Sequence, residues 1–252
     1  MTPKAFADHF SALAPEYAAW RPHYPEALFK WLGTLAARRA LAWDSGTGNG
    51  QAALGLAGVF DQVIATDASA AQLSAAAPHP RVEYRQALAE ASGLDTGSVD
   101  LVTVAQALHW FDVPAFFAEA GRVLAPGGAV AIWTYGLPSF DDAPLDQALA
   151  RFYSDAVGPF WAPERRHVEA GYRTLPFPFA EVATPAFEIR ADWTLDALLG
   201  YVGTWSATAR FREARGYNPL ETFAPELLPL WGNRADARPL RWALSVRAGH
   251  LR

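Results

Sequence analysis

Between Ala40 and Tyr135 short apolar runs alternate with stretches of helical period. The runs are LAWD closing at Asp44, QVIATDAS (Gln62–Ser69), RVEYRQA (Arg81–Ala87), DLVTVAQA (Asp100–Ala107) and the end of RVLAPGGAVAIW (Arg122–Trp133). Runs this short and this apolar, separated by helices, predict parallel strands covered on both faces. Gln51–Phe60 reads as the first intervening helix. After the fourth strand, Asp112 is placed as an N-cap with Pro114 in the first turn, and Phe116, Phe117, Ala120, Val123 and Leu124 recur at helical spacing as core positions. Residues 137–183 open on the polar, proline-rich GLPSFDDAP and continue as helical, aromatic sequence. PAFEIRADWT (Pro185–Thr194) and LRWALSVRAGHL (Leu240–Leu251) return to strand pattern, a sixth and a seventh strand, with helical sequence at Tyr201–Gly216 and around Leu220–Gly232 between them.

The chemistry concentrates at residues 43–50, WDSGTGNG. An acid closes a strand and glycines follow at 46, 48 and 50, where freedom of φ and missing Cβ atoms let backbone approach a ligand. Helix Gln51–Phe60 follows directly. Asp67 ends the second strand, placed to accept from ribose hydroxyls. This much points to a nucleoside cofactor, and Gly48, Gly50 and Ala53 also satisfy the GxGxxA form of a dinucleotide site. Asp44 separates the two: a carboxylate directly before the glycines suits a cationic amino group and repels a diphosphate.

The set DxGxGxG, TDAS, AQALHWFD and RVLAPGGAVAIW resembles the class I S-adenosylmethionine-dependent methyltransferases in order and spacing. The outer segments AxxYAxWRPxYPxxLFxWL, FWAPERRHVEAGYRTLPFPF and YVGTWSATARF look like the small-molecule subgroup around trans-aconitate methyltransferases. The resemblance implies an α/β, Rossmann-like, seven-stranded methyltransferase sheet, mostly parallel with its last strand antiparallel, under a helical lid. It divides one compact domain into an N-terminal helical cap (1–36), the cofactor-binding core (37–136), a lid insertion (137–183) and the last two strands with a helical insertion (184–252). It places Asp44 near the methionyl amino group, Gly46 and Gly48 in the turn against the cofactor, Asp67 on the ribose and Ala68 beside adenine. Leu88 and Ala89 close the adenine pocket, and Gln106 lines the methionyl side. The segment holding Tyr17 and Arg21 covers the cofactor in the family, and the Arg21 guanidinium could pair with the methionyl carboxylate.

His109, just beyond the fourth strand, could take a proton from the acceptor, or it and Trp110 could merely wall the pocket. Trp161, Tyr172 and Trp205 are candidates to touch substrate, and Arg165 and Arg166 could clamp a carboxylate or pair with surface acids.

Composition trims the alternatives. The net charge of −5, without a lysine-rich run, gives no electrostatic footprint for nucleic acid. The late arginines are interspersed with acids and read as a solvated face. There is no cysteine, and the six histidines form no HxxxH or HExxH spacing, so no metal is expected. No apolar run reaches a membrane span and no leader is evident, which reads as a cytoplasmic protein without a membrane partner. The expected activity is methyl transfer by direct displacement to oxygen or nitrogen of a small molecule, with S-adenosylhomocysteine as product. The alternatives are a cofactor-binding sensor without turnover and an NAD(P)-dependent oxidoreductase, the latter without a YxxxK pattern.

Overall fold

The computed structural model describes residues 20–251. Helix α1 (Glu26–Leu35) precedes a sheet of eight strands: β1 (Leu41–Ser45), β2 (Gln62–Asp67), β3 (Val82–Gln86), β4 (Val99–Ala105), β5 (Leu124–Tyr135), β6 (Ala180–Glu181), β7 (Phe187–Trp193) and β8 (Arg238–His250). The strand order is β3-β2-β1-β4-β5-β8-β6, with β7 also paired to β8. Strands β1 to β5 run parallel, and β8 lies antiparallel to β5. This is a mostly parallel, Rossmann-like sheet, as the sequence resemblance implies.

Alternation along the strands builds two cores. Ala42, Leu101 and Ala131 face one cluster while their neighbours Trp43, Val102 and Ile132 face the other, all fully buried. Such two-sided burial explains why the strands are apolar at nearly every position. Helices α2 (Gln51–Ala57), α3 (Ala70–Ser74) and α4 (Val113–Val123) are the crossovers. The cap at α4 forms as its sequence demands: the Asp112 carboxylate accepts from the Ala115 amide at 3.3 Å, and Phe116, Phe117, Ala120 and Val123 are buried.

Three details depart from the pattern reading. Strand β5 runs through the Pro-Gly-Gly turn, because Val99 pairs with Leu124 and Leu101 with Ala129, so the turn bulges within one strand. The outer edge beyond β8 is split: β7 pairs along Arg238–Leu244, and the unanticipated two-residue β6 pairs with Gly249 and His250. The sequence Tyr201–Gly216 is not one helix but the end of α7 (Leu195–Gly203) and all of α8 (Ser206–Arg215). Thr204 donates back to the Tyr201 carbonyl at 2.6 Å and Trp205 turns extended between them. Hydroxyl bonding to local backbone competes with helix continuation.

The intervening insertion supplies α5 (Ala143–Arg151) and α6 (Arg165–Glu169), and α9 (Leu220–Trp231) follows α8. Of the late arginines, Arg234 pairs with Asp196, Arg238 with Asp142 at 3.7 Å and Arg241 with Asp141 at 2.5 Å. Arg247 pairs with Glu181 and so pins β6.

Candidate active site

The strand order reverses between β1 and β4, and in open α/β sheets ligands bind outside the carboxyl ends of the strands at such a switch point. Here β1 delivers Asp44 and the glycine turn, β2 delivers Asp67, and β4 delivers Gln106. Gly46 has φ +64°, and a Cβ there would lie 2.7 Å from the Ala107 side chain and 2.8 Å from the Phe111 ring. Gly50 has φ +86° and would meet the Tyr84 hydroxyl at 2.3 Å. Both positions exclude any side chain on two counts, conformation and space.

The turn is drawn onto β2. The Thr47 amide donates to the Thr66 carbonyl at 2.9 Å, and the Gly48 amide donates to the Asp67 carboxylate at 2.8 Å. Ser69 donates its amide to the other Asp67 oxygen, also at 2.8 Å. Each carboxylate oxygen retains accepting capacity beyond one such bond.

A cavity of about 330 Å³ opens above this turn. Gly46, Gly48, Asp67, Ala68, Leu88, Ala89, Gln106 and Trp110 all line it. Leu88 is 47% exposed although apolar, so the cavity offers an apolar flank beside the Asp67 carboxylate. Tyr24, Asn49 and Tyr135, to which the sequence reading gave no role, also line the cavity, as does Arg210, which it counted among the solvated late arginines. Tyr24, Asn49 and Arg210 lie within the quoted motifs, but no spacing marked their side chains as cavity-facing. Tyr17 lies outside the described residues.

Asp44 behaves differently from expectation. It is fully buried beneath the turn and does not line the cavity. Thr47 and Thr103 donate their hydroxyls to its two oxygens at 2.6 and 2.7 Å. Burial pushes its pKa up to about 6 despite those two bonds, with the Asp67 charge adding to the rise.

A second cavity, about 50 Å³, adjoins the first, the two sharing Gln106, Trp110, Tyr135 and Ala162. Its other walls include Arg21, His109, Trp161, Arg165, Tyr201 and Trp205. Arg21 therefore stands in this smaller chamber, 5.4 Å over the Tyr201 ring, rather than in the wall of the larger one. Arg165 lies 4.5 Å over Trp161, and its Nε donates to the Tyr153 hydroxyl at 2.9 Å. Arg166 lines neither cavity. Trp161 and Trp205 pack with ring centroids 5.7 Å apart.

Tyr172 is a correction to the pattern reading. It is fully buried and lines neither cavity. Its hydroxyl instead meets His109 Nδ1 at 2.9 Å, and burial drives its phenol well above the ordinary value. An aromatic residue in the lid segment gave no sign of which way its ring would turn.

Among the described residues, no group of three or more histidines and acids is placed to hold a metal ion, and no helix is long and apolar enough to cross a membrane.

Comparison with known proteins is specific. Residues 43–132 match the family model of a methyltransferase domain. A Dictyostelium discoideum protein described as a methyltransferase is 34% identical over 230 residues, spanning 90% of this chain and 88% of the relative. An uncharacterized methyltransferase of Mycobacterium tuberculosis is 33% identical over 201 residues, covering 78% and 76%. A solved structure from Anaeromyxobacter dehalogenans, described as a type II methyltransferase, superposes with a TM-score of 0.85 at 48% identity, over 91% of this chain and 97% of that one. The chain belongs to the class I S-adenosylmethionine-dependent methyltransferases.

Proposed function

We propose that the protein transfers the methyl group of S-adenosylmethionine to an oxygen or nitrogen of a small molecule by in-line displacement. The observation that carries this is the pair of adjoining cavities with a shared wall at Gln106, Trp110 and Tyr135. The larger cavity fits the cofactor: an apolar flank at Ala68, Leu88 and Ala89 for adenine, the Asp67 carboxylate for the ribose hydroxyls, and side-chain-free backbone at Gly46 and Gly48. Its volume falls within the range of small-molecule sites.

When bound, the cofactor supplies a methyl already activated by its sulfonium. The chain's own residues then have to align the acceptor and exclude water. Gln106 holds the shared wall rigidly, since its amide donates to the Tyr135 carbonyl at 3.1 Å and its backbone sits at φ +58°, unfavourable outside glycine. The aromatic walls of the smaller chamber suit a planar or apolar acceptor, and Arg21 and Arg165 favour one carrying negative charge. Similarity of the outer segments to trans-aconitate methyltransferases points the same way.

Placing Arg21 at the acceptor gives a clear expectation. Arg21→Ala should leave the S-adenosylhomocysteine dissociation constant nearly unchanged while raising the KM for acceptor about tenfold, the loss of one charge-assisted contact. A large fall in cofactor affinity would return Arg21 to the methionyl carboxylate. For the function itself, the protein is incubated with S-adenosylmethionine and a library of carboxylic acids, phenols and heteroaromatics. Release of S-adenosylhomocysteine dependent on one acceptor class supports transfer, whereas binding without release across the library supports the sensor reading.

A further inference from the structure

Arg165 and Glu169 stand four apart on α6, the spacing at which opposite charges on a helix pair directly. Here they do not. The Tyr153 hydroxyl is interposed: Arg165 Nε donates to it at 2.9 Å, and it lies 2.5 Å from Glu169 Oε1. The direction of this chain is fixed at both ends. A guanidinium only donates and an ionised carboxylate only accepts, so the phenol oxygen accepts from Arg165 and gives its one proton to Glu169. Burial raises that phenol to about 12, so it keeps its proton near neutral pH. The guanidinium is held on its face as well, 4.5 Å from the Trp161 ring centre, and the Trp161 indole N–H donates to the Tyr153 carbonyl at 3.3 Å. Tyr153 sits in a widened turn that continues α5, where the Val157 amide reaches back five residues to the Phe152 carbonyl at 3.0 Å.

With Nε committed and one face stacked, the guanidinium has its Nη1 and Nη2 edge left over. Among the described residues that edge makes no hydrogen bond, and no carboxylate lies within ion-pair distance of it. Arg165 lines the smaller cavity, and the described residues that wall it include Arg21 but no Asp or Glu.

We infer that Tyr153, held between Arg165 and Glu169, keeps the guanidinium out of an internal ion pair and sets its Nη edge as a clamp for a carboxylate of the acceptor. This rests on the reading of the smaller cavity as the acceptor chamber. Two parallel N–H···O bonds match the planar carboxylate, and a chamber of about 50 Å³ has room for one such group. The clamped group is an anchor and not the atom methylated. Arg165 takes no part in the wall that the two cavities share at Gln106, Trp110, Tyr135 and Ala162. A carboxylate gripped by a guanidinium also has its lone pairs engaged, which weakens it as a nucleophile. The acceptor is therefore bifunctional, with a carboxylate for Arg165 and a separate oxygen or nitrogen that reaches the shared wall. Tyr153 is a positioning residue, because it acts only through Arg165.

The clamp is read without turnover, on protein saturated with S-adenosylhomocysteine and titrated with acetate, or with acetamide as its neutral isostere. Arginine Nε–H resonances report the site, and Arg165→Gln identifies the Arg165 signal by its disappearance. In the wild type acetate should move that signal and bind at least about tenfold more tightly than acetamide, a preference that Arg165→Gln abolishes. Tyr153→Phe frees the guanidinium to pair with Glu169, so acetate should bind about fivefold more weakly while acetamide is unchanged. Adding Glu169→Gln to Tyr153→Phe removes the competing charge. It should recover most of the loss, by more than Glu169→Gln alone adds to the wild type, which a merely structural defect at position 153 would not do. Should Tyr153→Phe fail to fold, the wild-type preference and Arg165→Gln still decide whether the clamp exists. Equal affinity for acetate and acetamide, an Arg165 signal indifferent to acetate, or a Tyr153→Phe loss that Glu169→Gln does not reduce overturns the inference. So does a product methylated on the acceptor's only carboxylate. Failure of every acceptor in the library would instead count against the functional reading and leave the binding result standing.

Discussion

Asp67→Ala is expected to raise the dissociation constant for S-adenosylmethionine at least about a hundredfold, a loss of roughly 3 kcal/mol or more. Two losses combine. The ribose hydroxyls lose a charged acceptor, and bonds to charged groups each contribute about 1.5–3 kcal/mol. The glycine turn also loses its anchor, because the Gly48 and Ser69 amides both donate to this carboxylate at 2.8 Å. Calorimetric titration of wild type and variant with S-adenosylhomocysteine measures the change. Urea denaturation of the ligand-free proteins separates it from unfolding, since Asp67 is only half-buried at the end of β2. Less than a tenfold change in affinity would mean that the carboxylate merely shapes the turn.

The second large effect is on stability and has a definite pH window. Asp44 is fully buried, and its pKa in the folded protein rises from 3.8 to about 6, chiefly through desolvation. A raised carboxylate pKa means that the folded protein holds the proton more tightly than the unfolded chain. Its contribution is complete below pH 3.8 and is lost as pH rises through about 6. At about 1.4 kcal/mol per pKa unit, ionised Asp44 costs the ligand-free fold about 3 kcal/mol at neutral pH. Asp44→Asn should therefore be more stable than wild type at neutral pH and should flatten the fall between about pH 4 and pH 6. A cation bound above the turn would favour the ionised acid. Wild-type affinity for S-adenosylhomocysteine should rise across the same window, and that of Asp44→Asn should not. Equal pH profiles for the two proteins would show that Asp44 stays charged or stays neutral throughout.

The parts of this site that a sequence can reveal are those dictated by backbone. Glycines at 46 and 50 are favoured by positive φ and crowding, and the acid that closes β2 takes its place from the strand end itself. The same holds for the strands, whose two-sided burial writes itself into unbroken apolar runs. What stayed hidden depends on where side chains turn in three dimensions. Asp44 was read correctly as an acid before the turn, but the turn folds over it and removes it from the cavity wall. Tyr172 was read as an aromatic of the lid, and its hydroxyl serves His109, 63 positions away. Arg21, Trp161 and Trp205 were each singled out in their own segments, but that the three meet in one small chamber depends on packing between segments far apart in the chain, and the break at Thr204 accompanies a local hydroxyl bond.

The central claim is that the larger cavity holds the methyl donor and the smaller one the acceptor. A crystal structure of the protein with S-adenosylhomocysteine tests it most directly. The account predicts adenine between Ala68 and Leu88, ribose hydroxyls on Asp67, and the sulfur at the wall formed by Gln106 and Trp110, facing the chamber of Arg21 and His109. A sulfur directed away from that chamber, or a nucleoside bound outside the larger cavity, would contradict it.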